Sequence, residues 1–125
     1  MTPEGRVKDM VKDYLRRRNV KATHPGIIHA HWPVQRGMGT PTLDCNVTIN
    51  GYAMSVETKA PGETPTPRQW LTIQAKRRAK EIVLVVDGSF TTMRDLEHCV
   101  DLLLSNSHFA AQLVSDNNLG EFKNG

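Results

Sequence analysis

The dipeptide Asn50-Gly51 stands between two runs of alternating apolar and polar residues, 43–49 and 52–59. Asn-Gly in this setting is the strongest short hairpin signal, because both residues tolerate the positive φ of a two-residue type I′ turn. A turn of that length fixes the strand register. Ile49 then faces Tyr52, Val47 faces Met54 and Cys45 faces Val56, while the other face pairs Thr48 with Ala53, Asn46 with Ser55 and Asp44 with Glu57. One face is apolar and the other polar, as expected of a half-buried antiparallel pair. On the polar face two carboxylates oppose each other with Cβ atoms about 4.5–5.5 Å apart. Lys59, two residues beyond Glu57, falls on that same face.

Like charges directly opposed destabilise a sheet. Either one carboxyl takes up a proton, or a cation neutralises the pair. A hard divalent ion such as Mg²⁺ suits carboxylate oxygens and keeps several waters. The backbone carbonyl of Thr58, between Glu57 and Lys59, adds a third oxygen, and Lys59 is placed to orient an attacking water or to stabilise charge on a phosphate. The plainer alternative is a solvated polar face with a Glu57–Lys59 ion pair, which leaves the Asp44–Glu57 repulsion unexplained.

The rest of the chain supplies the frame. Thr2-Pro3 reads as an N-cap followed by proline at the first helical position, and Val7, Met10, Val11, Tyr14 and Leu15 give one apolar helical stripe ending near Asn19. After a His24-Pro25-Gly26 turn, residues 27–34 read as a strand. A glycine-containing loop, 35–41, leads into the hairpin. Thr66-Pro67 opens a second helix reaching about Lys80. The apolar run 82–86 reads as a buried central strand. Met93, Leu96, Val100, Leu103 and Leu104 mark a third helix capped by Thr91 or Thr92. Residues 109–114 suggest a short further helix, and the last ten residues a frayed end. A chain of 125 residues suits one domain, with 1–104 as core and 105–125 as a C-terminal extension. The expected class is α/β, a small mixed sheet of about four strands flanked by helices.

Charge is unevenly spread. Residues 1–80 carry 14 Lys/Arg against 6 Asp/Glu, and residues 81–125 carry 2 against 7. The clusters Arg16-Arg17-Arg18 with Lys21, and Lys76-Arg77-Arg78 with Lys80, suit a polyanionic partner, or else the dipoles of two helix C-termini. Arg36 and Arg68 are further candidates for phosphate contact. His29 and His31 share one strand face and are better read as exposed or phosphate-contacting than as metal ligands, since no third ligand is evident. Trp32 and Trp70 are suited to stacking on bases or to core burial. Cys45 and Cys99 form no CxxC and read as free thiols in a reducing, cytoplasmic compartment. Cys45 projects onto the apolar hairpin face, which argues against a nucleophile. No apolar run approaches the length of a membrane span, and no Walker, GxSxG or dinucleotide fingerprint is present, so no nucleotide cofactor is expected.

Asp44, Glu57-Thr58-Lys59, Gln69 at the start of the next helix and Glu4 early in the first resemble the PD-(D/E)xK nuclease superfamily, and within it the virus-type replication-repair nuclease (VRR-NUC) branch. The matching segments are Gly37-Met38-Gly39-Thr40-Pro41-Thr42-Leu43-Asp44, Val56-Glu57-Thr58-Lys59 and Thr66-Pro67-Arg68-Gln69-Trp70. One departure is that Leu43 precedes Asp44, the family's proline standing earlier, at Pro41. The resemblance spans roughly residues 3–88 and implies a restriction-endonuclease-like core. It makes Asp44 and Glu57 metal ligands, Lys59 the residue that positions water or stabilises the transition state, Gln69 a support for the lysine or the scissile phosphate, and Glu4 a further carboxylate near the metal. Glu4 precedes Val7 and Val11 on the stripe that faces the protein, although a first-turn glutamate also suits the helix dipole.

Together these readings set the expectation of a Mg²⁺- or Mn²⁺-dependent DNA endonuclease, structure-specific for branched DNA of the Holliday-junction type and acting as a homodimer. A non-catalytic nucleic-acid-binding module with a vestigial metal site is the alternative, and an enzyme acting on a small phosphorylated or carbonyl substrate is a third.

Overall fold

The computed structural model describes residues 1–22, 26–33 and 43–119. Helix α1 (Pro3–Lys21) begins where the Thr2 hydroxyl accepts a hydrogen bond from the Gly5 N–H. Its apolar stripe buries Val7, Val11, Tyr14 and Leu15, while Met10 stays exposed at the edge. Three antiparallel strands follow: β1 (Ile28–His31), β2 (Cys45–Ile49) and β3 (Tyr52–Thr58). Strand β1 is shorter than the expected 27–34 and ends at His31. The β2–β3 register pairs Ile49 with Tyr52, Val47 with Met54 and Cys45 with Val56, as the two-residue turn requires. Asn50 and Gly51 have φ of 52° and 85°, the left-handed region that this turn needs. Helix α2 (Pro67–Arg78) then carries the chain across to β4 (Ile82–Val86), which pairs parallel to β3. The result is a four-stranded mixed sheet in the order β1-β2-β3-β4.

Strand β4 is a correction to the sequence reading. It is wholly buried, as its apolar run suggested, but it lies at the edge of the sheet and not at its centre. Its two faces explain the burial. Ile82, Leu84 and Val86 join the large core under α1, α3 (Phe90–Leu104) and α4 (His108–Asn117), whereas Val83 and Val85 pack with Leu43, Trp70 and Ile73 beneath α2. An unprotected edge leaves backbone groups unpaired. Here the Ser115 hydroxyl lies 2.8 Å from both the N–H and the carbonyl oxygen of Val83. The Asn118 side chain accepts from the Val85 N–H at 2.7 Å and donates to the Val85 carbonyl at 3.2 Å. A carboxamide has the donor and acceptor of a peptide group, so Asn118 takes the place of one residue of a fifth strand.

Residues 105–119 therefore belong to the packed body, although the sequence suggested an extension; positions 120–125 lie outside the described residues. Helix α4 is longer than the expected 109–114. The cap of α3 also differs from expectation. Ser89 accepts from the Thr92 N–H, and Thr92 is buried with its hydroxyl donating to Asp87 Oδ1 at 2.8 Å. Between β4 and α3, Gly88 has a φ of 81°, and a Cβ added there would stand 3.2 Å from Val7, so this turn and α1 pack closely only around glycine.

Replacing Asn118 by alanine strips a buried edge of its partners. The expected loss is about 2–3 kcal/mol of stability, read from urea unfolding. A change under about 0.5 kcal/mol would mean that the edge is held otherwise.

Candidate functional site

Three elements converge at the open end of the hairpin. Asp44 immediately precedes β2, Glu57 and Thr58 end β3, Lys59 follows, and Gln69 lies in the first turn of α2. The Asp44 N–H donates to Glu57 Oε1 at 3.2 Å. Asp44 Oδ2 accepts from the Thr58 N–H at 2.9 Å and from the Thr58 hydroxyl at 2.8 Å. The sequence points to the Thr58 carbonyl as a ligand; the contacts that Thr58 makes with Asp44 come from its N–H and hydroxyl. Gln69 is held twice. Its carbonyl oxygen accepts from the Thr66 N–H in a capping box, and its amide donates to Glu57 Oε2 at 2.8 Å. Gln69 thus aims the glutamate, whereas the resemblance had assigned it to the lysine or a phosphate. The Lys59 ammonium stands 3.9 Å from Glu57 Oε2.

Burial decides the electrostatics. The expected solvated polar face exists on β2, where Asn46 and Thr48 are exposed, but the end of β3 is buried, with Gln69 of α2 bonded to Glu57. Glu57 is 2% exposed and Lys59 8%. Burial, reinforced by the negative charge of Asp44 and a hydrogen bond between the two carboxyl groups, pushes the Glu57 pKa up to about 8, with Lys59 opposing the shift. At neutral pH the pair therefore prefers to share a proton over carrying two charges. A group that would displace that proton is a cation, so the donor set fits a divalent ion.

The pair opens onto a cleft of about 470 Å³ that Glu4, Lys8, Lys12 and Trp32 also line. Glu4 is on the cleft wall, as the stripe argument required. Among the described residues, however, no three His, Cys, Asp or Glu side chains converge as a metal-binding group, so Glu4 stands apart from the Asp44–Glu57 pair. Lys8 and Lys12 were missed in the sequence. Lys8 Nζ lies 3.6 Å from Asp44 Oδ1, and Lys12 Nζ stands 4.9 Å above the Trp32 ring. The signal was there, since 4, 8 and 12 follow the i, i+4 spacing of one helix face.

The expected DNA-binding residues divide. Arg16 and Arg17 both reach Asp13 on the same helix, and Arg18 pairs with Asp101 of α3 at 2.6 Å. Lys76 lies 3.6 Å from Glu81, and Arg68 and Arg78 are exposed. Arg77 is a correction: it is partly buried and its Nη2 donates to the Val83 carbonyl at 2.8 Å and to Asn118, so it braces the β4 edge instead of facing a ligand. Trp70 is likewise core, 6% exposed. His29 and His31 are exposed on β1. Cys45 and Cys99 are buried free thiols whose pKa burial raises to about 12, which excludes an activated nucleophile. Arg36, Gly37, Gly39 and Pro41 lie outside the described residues.

With a pKa above its unfolded value, Glu57 holds a proton in the folded state that the unfolded chain has released. Its contribution to stability therefore falls as pH rises from about 4.5 to about 8. In EDTA, Glu57→Gln should be more stable than the wild type at pH 8 by an amount on the order of a few kcal/mol, the difference shrinking towards pH 5. Parallel stability–pH profiles in thermal melts would refute the assignment. Compared with protein-family models, with curated proteins and with solved structures, the chain matches none, and its chemistry rests on this geometry.

Proposed function

We propose that the protein is a divalent-metal-dependent nuclease of the PD-(D/E)xK kind, in its VRR-NUC branch, that hydrolyses phosphodiester bonds in DNA. The observation that carries this reading is the contact between Asp44, just before β2, and Glu57, at the end of β3, with Lys59 beside the glutamate. Mg²⁺ or Mn²⁺ held by these two carboxylates would polarise a phosphate and lower the pKa of a bound water. The protein's own residues do the positioning. Thr58 locks one oxygen of Asp44, and Gln69 fixes the rotamer of Glu57 from a capped helix start. Lys59, nearly excluded from water and 3.9 Å from Glu57 Oε2, would stabilise the charge that develops on a phosphate at the acid pair.

The finer parts of the reading are cleavage of branched DNA of the Holliday-junction type and a homodimer that brings two sites to one branch point. Phe109 and Leu113, exposed one turn apart on α4, are the face assigned to the second copy. Buried free thiols suit a reducing, cytoplasmic setting, and no helix among the described residues is long and apolar enough to cross a membrane.

Lys8 favours a second reading. Its ammonium near Asp44 sits where a metal's charge would act, as in a non-catalytic nucleic-acid-binding module with a vestigial site. The two readings part on labelled duplex, single-stranded and four-way-junction DNA with Mg²⁺ or Mn²⁺. The nuclease reading expects product from the wild type and a loss of at least about a hundredfold in Asp44→Asn and Lys59→Ala, the scale of removing one charge-stabilising group. Binding without product by the wild type would favour the module, and variants that cut at the wild-type rate would remove these residues from the site.

A further inference from the structure

Beside the acid pair lies a feature that metal-assisted hydrolysis does not need. A second depression, of about 150 Å³, adjoins the cleft and shares Lys12 and Trp32 with it. Its floor is apolar, made by Leu15, Ile28 and Ala30, and Trp32 forms a wall. It is far smaller than the grooves of a duplex require, and a flat ring placed in it would lie against an indole. Along its rim and on into the cleft run Lys8, Lys12 and Arg16. These follow one face of α1 at four-residue intervals, about 6 Å per step. That step is comparable to the separation of successive phosphates in an extended strand. The row begins beside Asp44 and leads away from it.

Each cation can exchange its present contact for a phosphate. Lys8 is a third exposed and only 3.6 Å from Asp44 Oδ1, Lys12 rests over the Trp32 ring, and Arg16 is 71% exposed despite its bond to Asp13. The arrangement is a charged rail with an apolar, aromatic recess beside it, which is how proteins hold unpaired nucleic acid: cations follow the backbone and a ring receives a base. A paired base cannot enter the recess without leaving its stack.

We propose that the Lys8–Lys12–Arg16 face of α1, with Trp32 as its stacking platform, is the track on which an unpaired strand of the substrate reaches the Asp44–Glu57 site. The proposal rests on the nuclease reading for what happens at the end of the track, but its binding step stands without it.

The test is fluorescence titration and anisotropy in EDTA with a short labelled oligodeoxynucleotide, single-stranded or annealed to its complement. The single strand should bind more tightly than the duplex and should quench part of the tryptophan emission, the change reporting Trp32, because buried Trp70 emits but is shielded from a bound base. Trp32→Ala should weaken single-strand binding about tenfold and Trp32→Phe much less, as stacking on an aromatic ring requires. Lys12→Ala and Arg16→Ala should each lower the slope of log affinity against log salt by about 0.7. Circular dichroism melts confirm that the variants are folded, and Trp32→Phe and Lys12→Ala carry the test if Trp32→Ala is not. Duplex preference, or unchanged single-strand binding in folded Lys12→Ala, Arg16→Ala and Trp32→Phe with no loss of quenching, would overturn the track. Cleavage with Mg²⁺ is followed in parallel. Track-dependent binding without product leaves the track standing and sinks the nuclease reading, and product with track-independent binding does the reverse.

Discussion

Asp44 and Glu57 meet at the end of a hairpin where burial makes the charge of Glu57 costly. Every feature of the site follows from that meeting. The hairpin turn sets the register that makes the two positions neighbours. The end of β3 is buried, and the loss of water around Glu57 raises the energy of its charge. Each carboxylate is then secured by hydrogen bonds: Thr58 on Asp44, Gln69 and the Asp44 N–H on Glu57. Such a pair persists only because its surroundings hold it, and strained or costly groups of this sort gather at functional positions.

The surroundings depend in turn on an edge strand that has no strand beyond it. Glu57 and Thr58 are aligned with Val85 and Val86 in the parallel ladder, so the position of β4 sets the position of the site's end of β3. Strand β4 is kept in place by polar side chains from the far end of the chain, Ser115 and Asn118, with Arg77 bonded to both Val83 and Asn118. The C-terminal helix thus supports a site to which it contributes no side chain. This is a division of labour common in α/β folds, where one end of the sheet carries chemistry and the remaining surfaces carry stability.

Charge is sorted in the same way. Two of the basic residues that stand out in the sequence are taken up by partners within the chain: Arg18 by Asp101 at the surface and Arg77 by the Val83 carbonyl. The cations that face the cleft, Lys8 and Lys12, belong to no conspicuous run. A cluster in sequence marks the end of a helix, whereas a cluster in space needs one residue per turn.

The amino-acid sequence by itself determined the hairpin and its register, the amphipathic face of α1, the capped start of α2 with Gln69 in it, and the opposition of Asp44 and Glu57. These are local consequences of turn stereochemistry and of the two-residue period of a strand. It also marked 82–86 as wholly buried. Only the tertiary structure decided that this run is an edge, because burial on both faces leaves the same apolar signature whether the flanking hydrogen bonds come from strands or from Ser115 and Asn118. It alone decided that Gln69 aims Glu57, that Arg77 is a brace and that Lys8 reaches Asp44. Those outcomes hang on which elements pack together over long stretches of chain, and side chains of one chemical type leave no local trace of the partner they will find.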